Sequence, residues 1–461
     1  MTLIKSISGI RGTIGGAPGT SLTPVDVVKF AAAFGTWLKK RKGRKVVIGR
    51  DARVSGEMVS QLVAYTLKGL GLDVIDVGLS TTPTVEIAVM IEKASGGIIL
   101  TASHNPAQWN ALKMLNEKGE FLSSADGAEI LQLANDENFD FAPIEKLGRH
   151  TYNTTYIRRH IELILRHRLV DVKAIKKAKF KVAVDAVNST GGIAVPQLLK
   201  ELGVKVTEIN CEPNGKFAHD PEPLPGNMHE IMSVVKRSKL DLGIVVDPDV
   251  DRLAFVQEDG QPFGEEYTLV AIADYVLTRR RGNTVSNLSS TRALRDVTEK
   301  AGGKYSAVAV GEVNVVAAMK ETKAVIGGEG NGGVIVPDFH YGRDALIGIA
   351  LFLTHLAKSR KKASELKAGY PQYTISKNKI ELTPQIDVDK VLDEIRSRYS
   401  MEEVNTSDGV KIDFEKTKEW VHLRKSNTEP IIRIYAESKN EQSAGRLASQ
   451  IIADIQQIIK L

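Results

Sequence analysis

The chain has 461 residues, of which 42% are hydrophobic and 26% are charged, and its formal net charge is +6. This length is too great for a single hydrophobic core, so we expect two to four domains. The mild positive charge suits a small anionic ligand as readily as nucleic acid, but no block of five or six like charges occurs, which argues against a nucleic-acid partner.

The cysteine count and the hydropathy pattern indicate a cellular setting. A single cysteine, Cys211, cannot form a disulfide framework, so an oxidising compartment is not required. The N-terminus lacks the pattern of a signal peptide, and no apolar run reaches 18 residues. We therefore expect a cytoplasmic protein without a membrane partner, present as a monomer or a homodimer.

Strand-like and helix-like segments alternate through most of the chain. Residues 45–49 form a short apolar run typical of a buried strand, a helical pattern covers 55–70, and a second strand pattern covers 73–78. This order at this spacing predicts a βαβ unit and a parallel sheet. The same order recurs twice, with strand, helix and strand predicted at 181–185, 195–202 and 205–209, and again at 307–311, 313–320 and 324–327.

The C-terminal part of the chain has a different pattern. Alternating segments at 420–424 and 431–437 predict two strands, and a helical pattern follows them, so we expect an α+β domain. The predicted fold class is therefore α/β, with three similar α/β domains and a separate C-terminal α+β domain. The predicted domains cover residues 1–150, 151–253, 254–369 and 370–461.

The first motif with chemical meaning is Thr-Ala-Ser-His-Asn-Pro at 101–106, directly after the apolar strand pattern at 97–100. A serine at a strand end, with backbone N–H groups and His104 beside it, suits covalent chemistry or phosphoryl transfer, and Ser103 is the candidate nucleophile. The alternative is a turn serine that only caps the next element.

The second motif is Asp-Pro-Asp-Val-Asp-Arg at 247–252, after the apolar strand pattern at 242–246. Carboxylates at Asp247, Asp249 and Asp251 crowd negative oxygens into a small space, which is costly unless a cation neutralises them. Ligands that are all oxygen favour a hard ion, with Mg²⁺ as the best candidate. The alternative is a solvated acidic loop.

Two further segments carry polar groups suited to a sugar phosphate. The glycine-rich segment at 327–333 lets backbone approach a ligand closely, and Glu329 within it could accept hydrogen bonds from sugar hydroxyls. The segment Arg-Lys-Ser-Asn-Thr-Glu-Pro at 424–430, followed by Arg433, has the composition of a phosphate-binding turn. The alternatives are a flexible surface turn and an ordinary polar turn, respectively.

Together, these motifs in this order resemble those of the α-D-phosphohexomutase superfamily, which includes phosphoglucomutase, phosphomannomutase and phosphoglucosamine mutase. The resemblance covers the whole chain. It implies α/β domains with mixed sheets and a C-terminal domain of the TATA-box-binding-protein-like type, arranged around a central cleft. It also implies a phosphoserine enzyme that interconverts hexose 6-phosphate and hexose 1-phosphate, with a glucose- or hexose-1,6-bisphosphate as intermediate and activator.

The resemblance implies a role for each motif residue. Ser103 matches the phosphoserine, and Asp247, Asp249 and Asp251 match the Mg²⁺ ligands, with the serine phosphate also touching the ion. The basic residues matched near the reacting oxygen are Arg11 and Lys113, and His104 beside the serine is a further catalytic candidate. The residues matched to sugar and phosphate binding are Arg252, Glu329, Asn331, Arg424, Ser426, Asn427, Thr428 and Arg433.

This chain departs from the family pattern in two loops that select the sugar. The glycine-rich segment lacks the serine and histidine common in bacterial members, and residues 310–314 lack the usual basic or aromatic residue. The departures leave Lys113 or His340 as candidates for proton transfer. Our preferred interpretation is a phosphoglucosamine mutase, and the alternative is a phosphomannomutase/phosphoglucomutase. More remote alternatives are a metal-dependent sugar phosphatase and a non-catalytic sugar-phosphate-binding protein.

Overall fold

The structure is a computed structural model that describes residues 2–6, 9–381, 386–425 and 431–459. The chain forms two compact units, each built from two segments. The first unit comprises Met1–Thr268 and Gly332–Glu365, and the second comprises Leu269–Asn331 and Leu366–Leu461. The predicted domain boundaries at 150, 253 and 369 stay predictions.

The first unit begins with a mixed seven-stranded sheet in the order β1-β2-β6-β5-β3-β4-β7. Its strands are β1 (Ile4–Ser6), β2 (Gly9–Thr13), β3 (Lys45–Arg50), β4 (Asp73–Leu79), β5 (Gly96–Leu100), β6 (Trp109–Leu115) and β7 (His150–Tyr152). The central strands β5, β3 and β4 are parallel, as predicted, whereas β6 joins β5 in antiparallel fashion. The antiparallel β1, β2 and β6 are an addition that the sequence pattern did not predict.

Helices cover both faces of this sheet. They are α1 (Pro24–Lys40), α2 (Gly56–Gly69), α3 (Thr82–Glu92) and α4 (Ser124–Asp136). Successive side chains of β3 point to opposite faces, so Val46 and Ile48 pack in the same core cluster as Phe34, while Val47 packs in a second cluster with Val85. The continuous apolar run of β3 is thus the consequence of burial on both sides.

The second sheet, also in the first unit, has the order β11-β10-β8-β9. Its strands are β8 (Lys181–Asp185), β9 (Lys205–Ile209), β10 (Leu242–Val246) and β11 (Leu253–Val256). The helices of this region are α5 (Tyr156–Arg166), α6 (Val172–Ala178), α7 (Gly191–Glu201) and α8 (His229–Arg237). The next helix, α9 (Glu265–Arg279), begins in the first unit and continues into the second. The first three strands lie at the predicted positions, and α7 begins four residues before the predicted helix.

The third α/β region contributes elements to both units. Its strands are β12 (Thr284–Asn287), β13 (Tyr305–Val308), β14 (Ile326–Glu329) and β15 (Gly333–Ile335), and its helices are α10 (Ala293–Lys300), α11 (Glu312–Thr322), α12 (Ala345–Ser359) and α13 (Ala363–Ala368). In the second unit, β12 pairs in parallel with both β13 and β14. The strand predicted at 307–311 ends earlier because Gly311, at a φ of 121°, turns the chain into α11.

The C-terminal region is an antiparallel sheet in the order β16-β20-β19-β18-β17. The strands are β16 (Thr374–Glu381), β17 (Glu403–Asn405), β18 (Val410–Phe414), β19 (Glu419–Lys425) and β20 (Ile431–Ser438), and the helices are α14 (Val388–Arg398) and α15 (Glu441–Ile459). Both helices contribute to one apolar core with the sheet, as Ile395 and Ile451 do with Val421. This is the α+β arrangement that the alternating pattern predicted.

Within the described part of the chain, none of the helices combines the length and the apolar surface that crossing a lipid bilayer would require.

Candidate active site

Ser103 lies in a tight loop directly after β5. We call residues 101–109 the nucleophile loop. Ser103 has a φ of 50°, a left-handed conformation that is uncommon for residues other than glycine, and its N–H donates to Thr101 Oγ1 at 2.9 Å. Its hydroxyl donates to Asp247 Oδ2 at 2.7 Å. The strained backbone therefore directs the serine oxygen at the acidic motif.

Arg53 holds this loop in place and was not predicted from the sequence. Its side chain is buried, and its Nε donates to Asp51 Oδ2 at 3.0 Å. Its terminal nitrogens donate to four carbonyl oxygens of the loop, those of Ser103 (2.5 Å), Asn105 (2.6 Å), Pro106 (2.6 Å) and Trp109 (3.0 Å). One planar guanidinium thus fixes the loop backbone on both sides of Ser103.

A signal for Arg53 does exist in the sequence. Asp51 and Arg53 directly follow β3, which pairs in parallel with β5, so the two strands end at the same edge of the sheet. Asp51 Oδ2 also accepts a hydrogen bond from Thr101 Oγ1 at 2.6 Å. An Asp-x-Arg motif at the end of a buried strand, next to the strand that carries the candidate nucleophile, could have been identified on this ground.

The three aspartates follow β10, and we call residues 247–252 the metal loop. The carboxylates of Asp247, Asp249 and Asp251 are fully buried, and one oxygen of each lies within 4.8 Å of the others. Asp247 Oδ1 accepts hydrogen bonds from the N–H groups of Asp251 and Arg252, both at 3.1 Å. Burial, together with the charges of Asp249 and Asp251, raises the pKa of Asp247 well above its ordinary range.

Two cations from other segments meet the metal loop. Lys113 Nζ lies 2.9 Å from Asp249 Oδ2 and 3.6 Å from Asp251 Oδ2. Arg343 Nη2 donates to Asp251 Oδ2 at 2.7 Å. Burial alone would lower the pKa of Lys113, but the charges of Asp249 and Asp251 have the larger combined effect. The net result is a raised pKa, so this lysine keeps its charge. Arg343 is a second contributor that the sequence did not predict.

The donors around the metal loop leave a defined set of oxygens for a cation. Asp249 Oδ2 is already bonded to Lys113 and to Thr82 Oγ1, and Asp251 Oδ2 to Arg343. The other oxygens, Asp249 Oδ1 and Asp251 Oδ1, are buried and have no hydrogen-bond partner among the described residues. Buried, unpartnered carboxylate oxygens fit a hard divalent ion, so the residues present suit the predicted metal.

The other basic residues predicted in this unit lie nearby. His104 Nδ1 is 3.4 Å from the Ser103 hydroxyl, and burial, followed by the charges of Arg252 and Lys113, lowers the pKa of His104 to about 2. Burial and the charge of Arg252 lower the pKa of Arg11. Arg252 itself forms an ion pair with Glu222 at 2.7 Å.

His340 occupies a different position from the one considered for proton transfer. It is buried between two carboxylates, with Nδ1 3.3 Å from Glu86 Oε2 and Nε2 3.1 Å from Asp344 Oδ2. Burial lowers the pKa of His340, but these carboxylates outweigh burial and raise it to about 10. His160 also bonds Asp344 at 2.9 Å. A histidine that keeps its proton at neutral pH is a poor base, which favours a structural role.

The remaining predicted residues lie in the second unit. Glu329, at the end of β14, is nearly buried and accepts hydrogen bonds from Asn287 Nδ2 at 2.9 Å and Gly311 N at 3.1 Å. Asn331 Nδ2 reaches Glu329 Oε2 at 3.5 Å. We call residues 327–333 the sugar loop.

The phosphate-binding candidates come from β19, β20 and the residues between them in sequence. Arg424 and Arg433 are direct partners across the antiparallel pair, which places both side chains on the same face of the sheet. Ser426, Asn427 and Thr428 lie outside the described residues. We call Arg424, residues 426–428 and Arg433 the phosphate cradle. The expected meeting of the metal loop, the sugar loop and the phosphate cradle at a central cleft stays a prediction.

Comparison with known families gives matches along nearly the whole chain. Four family profiles, all described as phosphoglucomutase/phosphomannomutase, match in succession. They are alpha/beta/alpha domain I at residues 3–141, alpha/beta/alpha domain II at 158–260, alpha/beta/alpha domain III at 264–373 and the C-terminal domain at 379–454.

Individual proteins are similar over the same extent. A phosphoglucomutase/phosphomannomutase of Thermococcus kodakarensis is 39% identical over 442 residues, 94% of this chain and 95% of that protein. A phosphoglucosamine/phosphogalactosamine mutase of Sulfurisphaera tokodaii is 33% identical over 459 residues, 96% of this chain and 97% of that protein. A solved phosphoglucomutase/phosphomannomutase family protein from Burkholderia thailandensis matches with a TM-score of 0.83 at 26% identity, covering 99% and 98% of the two chains. These matches confirm the predicted fold class.

The contacts of Arg53 generate a first prediction. In Arg53→Lys, a single ammonium cannot span four carbonyl oxygens, so the nucleophile loop should open more often. We expect amide hydrogen exchange in a peptide covering residues 101–112 to accelerate by at least ~10-fold, given that charge-assisted hydrogen bonds contribute about 1.5–3 kcal/mol each. Arg44→Lys, at an exposed position, is the control. Exchange within about two-fold of the wild type, a difference of roughly 0.4 kcal/mol, would contradict this role for Arg53.

The cluster around His340 generates a second prediction. Because the folded-state pKa of His340, about 10, lies above the ordinary value of 6.5, its stabilising effect is complete below pH ~6.5 and is lost as the pH rises through about 10. The free energy of unfolding lost in His340→Gln should therefore be largest at pH 6 and shrink at pH 8 and pH 10. Urea titrations at the three pH values measure it, with the exposed His229→Gln as control. A loss that does not change with pH would refute the charged state of His340.

Proposed function

The chain belongs to the phosphoglucomutase/phosphomannomutase family, as its motifs predicted, and from this membership we propose that it is a phosphohexomutase acting through Ser103. The reaction interconverts hexose 6-phosphate and hexose 1-phosphate. The observation that supports this role most directly is the 2.7 Å contact between the Ser103 hydroxyl and Asp247, beside Asp249 and Asp251, each of which has one buried oxygen without a partner among the described residues.

In the proposed cycle, phospho-Ser103 donates its phosphoryl group to the free hydroxyl of a hexose monophosphate. The sugar oxygen bonds to phosphorus, the bond between phosphorus and Ser103 Oγ breaks, and the hydroxyl proton passes to a neighbouring acceptor. The resulting hexose 1,6-bisphosphate then reorients within the site. Ser103 Oγ attacks its other phosphoryl group, and the sugar oxygen that is released takes up a proton. The bisphosphate is thus both the intermediate and the activator that phosphorylates the enzyme.

The metal loop supports a Mg²⁺ site in this scheme. Asp247, Asp249 and Asp251 would hold the ion, with the unpartnered Oδ1 atoms of Asp249 and Asp251 as the most available ligands. Bound there, Mg²⁺ would neutralise charge on the oxygens of the phosphoryl group. The strained, Arg53-anchored backbone keeps the serine oxygen directed at this loop.

The charged and neutral basic residues have different proposed roles. Lys113, which keeps its charge, and Arg11 stabilise the negative charge of the phosphoryl group in transfer. His104, which is neutral at physiological pH, lies with Nδ1 3.4 Å from the Ser103 hydroxyl and donates to that oxygen, because the hydroxyl proton goes to Asp247. His340 has no proposed part in proton transfer because it lies between two carboxylates and keeps its proton.

We assign substrate binding to Arg252, to two residues of the sugar loop and to the phosphate cradle. Arg252 in the metal loop and Glu329 and Asn331 in the sugar loop bind the sugar and its hydroxyl groups. The phosphate cradle holds the non-reacting phosphate through Arg424, Ser426, Asn427, Thr428 and Arg433. Since the intermediate reorients between the two transfers, the same cradle binds the phosphate at each end of the sugar in turn.

For the preferred sugar we propose glucosamine phosphate, with glucose and mannose phosphates as the alternative. Glu329 is a buried carboxylate at the end of β14, and a carboxylate is a suitable acceptor for a protonated sugar amine. The similarity to an aminosugar phosphate mutase at 33% identity supports this choice, and the similarity at 39% identity to a phosphoglucomutase/phosphomannomutase supports the alternative.

A third prediction tests the covalent route. Freshly purified protein should contain a fraction heavier by one phosphoryl group in intact-mass measurement, and Ser103→Ala should lack it. Turnover of Ser103→Ala should fall by roughly 1,000-fold or more because the covalent step is lost. Ser123→Ala, which removes the N-cap hydroxyl of α4, is a serine control outside the nucleophile loop. Near-normal mutase activity in Ser103→Ala would contradict the proposal.

The same preparation distinguishes the substrates in one assay. Wild-type protein is given glucosamine, glucose and mannose 6-phosphates, and both the 1-phosphates and free phosphate are measured. Fastest conversion of glucosamine 6-phosphate supports the preferred sugar, and faster conversion of the other two supports the alternative. Release of free phosphate in place of the isomer would instead indicate a metal-dependent phosphatase.

A fourth prediction concerns the metal. Asp251→Asn should raise the Kd for Mg²⁺ by at least ~10-fold in calorimetric titration. Substituting a residue that only hydrogen-bonds a metal ligand already weakens metal binding by about this factor. Chelation should stop turnover, and added Mg²⁺ should restore it. Asp259→Asn, in an exposed turn, is the matched control. Unchanged Mg²⁺ affinity in Asp251→Asn, or full activity in excess chelator, would exclude this site.

A further inference from the structure

Asp408 connects the phosphate cradle to the loop that precedes α11. Its Oδ2 lies 2.8 Å from Arg424 Nε and accepts a hydrogen bond from Val310 N at 2.9 Å. Its backbone carbonyl bonds His422 Nε2 at 2.7 Å. One residue therefore contacts the first arginine of the cradle, the backbone beside Gly311 and a buried histidine of β19.

His422 extends this connection through two hydrogen bonds, and the protonation of its ring determines which nitrogen donates. Burial lowers the pKa of His422 to about 4, so the ring is neutral at physiological pH. Because the Asp408 carbonyl can only accept, Nε2 carries the proton, and Nδ1 must accept from Ser289 Oγ at 2.9 Å. His422 thus links β19 to the loop after β12 through two hydrogen bonds of fixed polarity.

The loop after β12 leads back to the sugar loop. Ser289 N donates to Asn287 Oδ1 at 3.0 Å, and Asn287 Nδ2 donates to Glu329 at 2.9 Å. Gly311 N donates to the same oxygen of Glu329 at 3.1 Å. Since Gly311 is covalently joined to Val310, which bonds Asp408, the contacts close into a ring. We call it the coupling ring, with members Asn287, Ser289, Val310, Gly311, Glu329, Asp408 and His422.

We propose that Asp408 and His422 are positioning residues that hold Glu329 and Arg424 in one fixed frame. The inference rests on the proposed function, since it concerns how the sugar loop and the phosphate cradle act on one substrate. Neither residue needs to touch the sugar. Asp408 holds Arg424 by charge, with Oδ2 2.8 Å from Nε, and this nitrogen has no hydrogen-bond partner among the described residues. The guanidinium therefore keeps its donors for a phosphate.

The reorientation of the intermediate explains why a fixed spacing between the sugar loop and the phosphate cradle would help binding. A hexose 1,6-bisphosphate must bind in two orientations, and each orientation presents a phosphate to the cradle and hydroxyls to Glu329. If the two loops were independent, each binding event would have to order both of them. A ring of hydrogen bonds that already sets the separation between the loops removes this cost in both orientations.

A double-mutant cycle on bisphosphate affinity tests the coupling. In a Ser103→Ala background, which cannot exchange phosphate, the Kd for glucose 1,6-bisphosphate is measured for Asp408→Ala, for Glu329→Gln and for both changes together. We expect each single change to raise Kd by roughly 10-fold, and the double change to raise it by about 10- to 30-fold rather than 100-fold, because contacts within one network are not additive.

Two additional variants separate positioning from a general loss of folding. Asp408→Asn keeps an acceptor for Val310 N but loses the charge beside Arg424, so its Kd should lie between those of the wild type and Asp408→Ala. Exposed Asp393, also in the second unit, supplies the control, since Asp393→Asn should leave Kd unchanged and add nothing to Glu329→Gln. In the Ser103-containing protein, Asp408→Ala should raise KM for both 1- and 6-phosphates while Ser103 remains phosphorylated in intact-mass measurement.

The possible failures are distinguishable. Single effects that multiply to about 100-fold in the double variant would overturn the coupling while leaving the mutase activity intact. An effect of Asp408→Ala on one direction only would overturn it as well. If the Ser103→Ala parent does not bind the bisphosphate, or the wild type converts no hexose phosphate, the proposed function itself is wrong.

Discussion

Mutual repulsion among the buried carboxylates of the metal loop is the constraint on which the first unit depends. Three carboxylates with oxygens within 4.8 Å of one another destabilise the folded state unless positive charge and hydrogen-bond donors offset them. Here Lys113 and Arg343 bring two positive charges from segments far apart in sequence, and Ser103 adds a hydroxyl donor. The negative charge that remains suits a divalent cation.

The same constraint explains why the nucleophile loop needs an anchor of its own. A serine at a φ of 50°, next to carboxylates, is held in an unfavourable backbone conformation by its surroundings. Arg53 stabilises this conformation by donating hydrogen bonds to carbonyl oxygens of the loop. Its positive charge is balanced by an ion pair with the buried Asp51. The Arg53 guanidinium therefore stabilises the loop backbone, and the charges that offset the metal loop are those of Lys113 and Arg343.

The sequence predicts the parts of this protein that rest on local patterns. The strands β8, β9 and β10 lie at their predicted bounds because short apolar runs between turn residues leave little ambiguity. The antiparallel β1, β2 and β6 were not predicted, since Arg11 and Lys113 on β2 and β6 interrupt the apolar pattern. Ser103 and the three aspartates were identifiable because each motif is contiguous. Arg53, Arg343, Asp408 and His422 were not, because they contact Ser103, Asp251, Val310 and Ser289, respectively, across 50 to 133 residues of sequence.

The discontinuity of the first unit has a consequence for how the protein is made. Met1–Thr268 carries Ser103 and the three aspartates, but the unit is completed only by Gly332–Glu365, which brings Arg343 and the Asp344 that caps α12. During synthesis, the chain must therefore pass through a stretch of the second unit before Asp251 can meet its arginine and His160 its carboxylate. A ribosome-bound chain that stops at residue 268 exposes an unbalanced acidic loop, so this unit cannot mature in simple N- to C-terminal order.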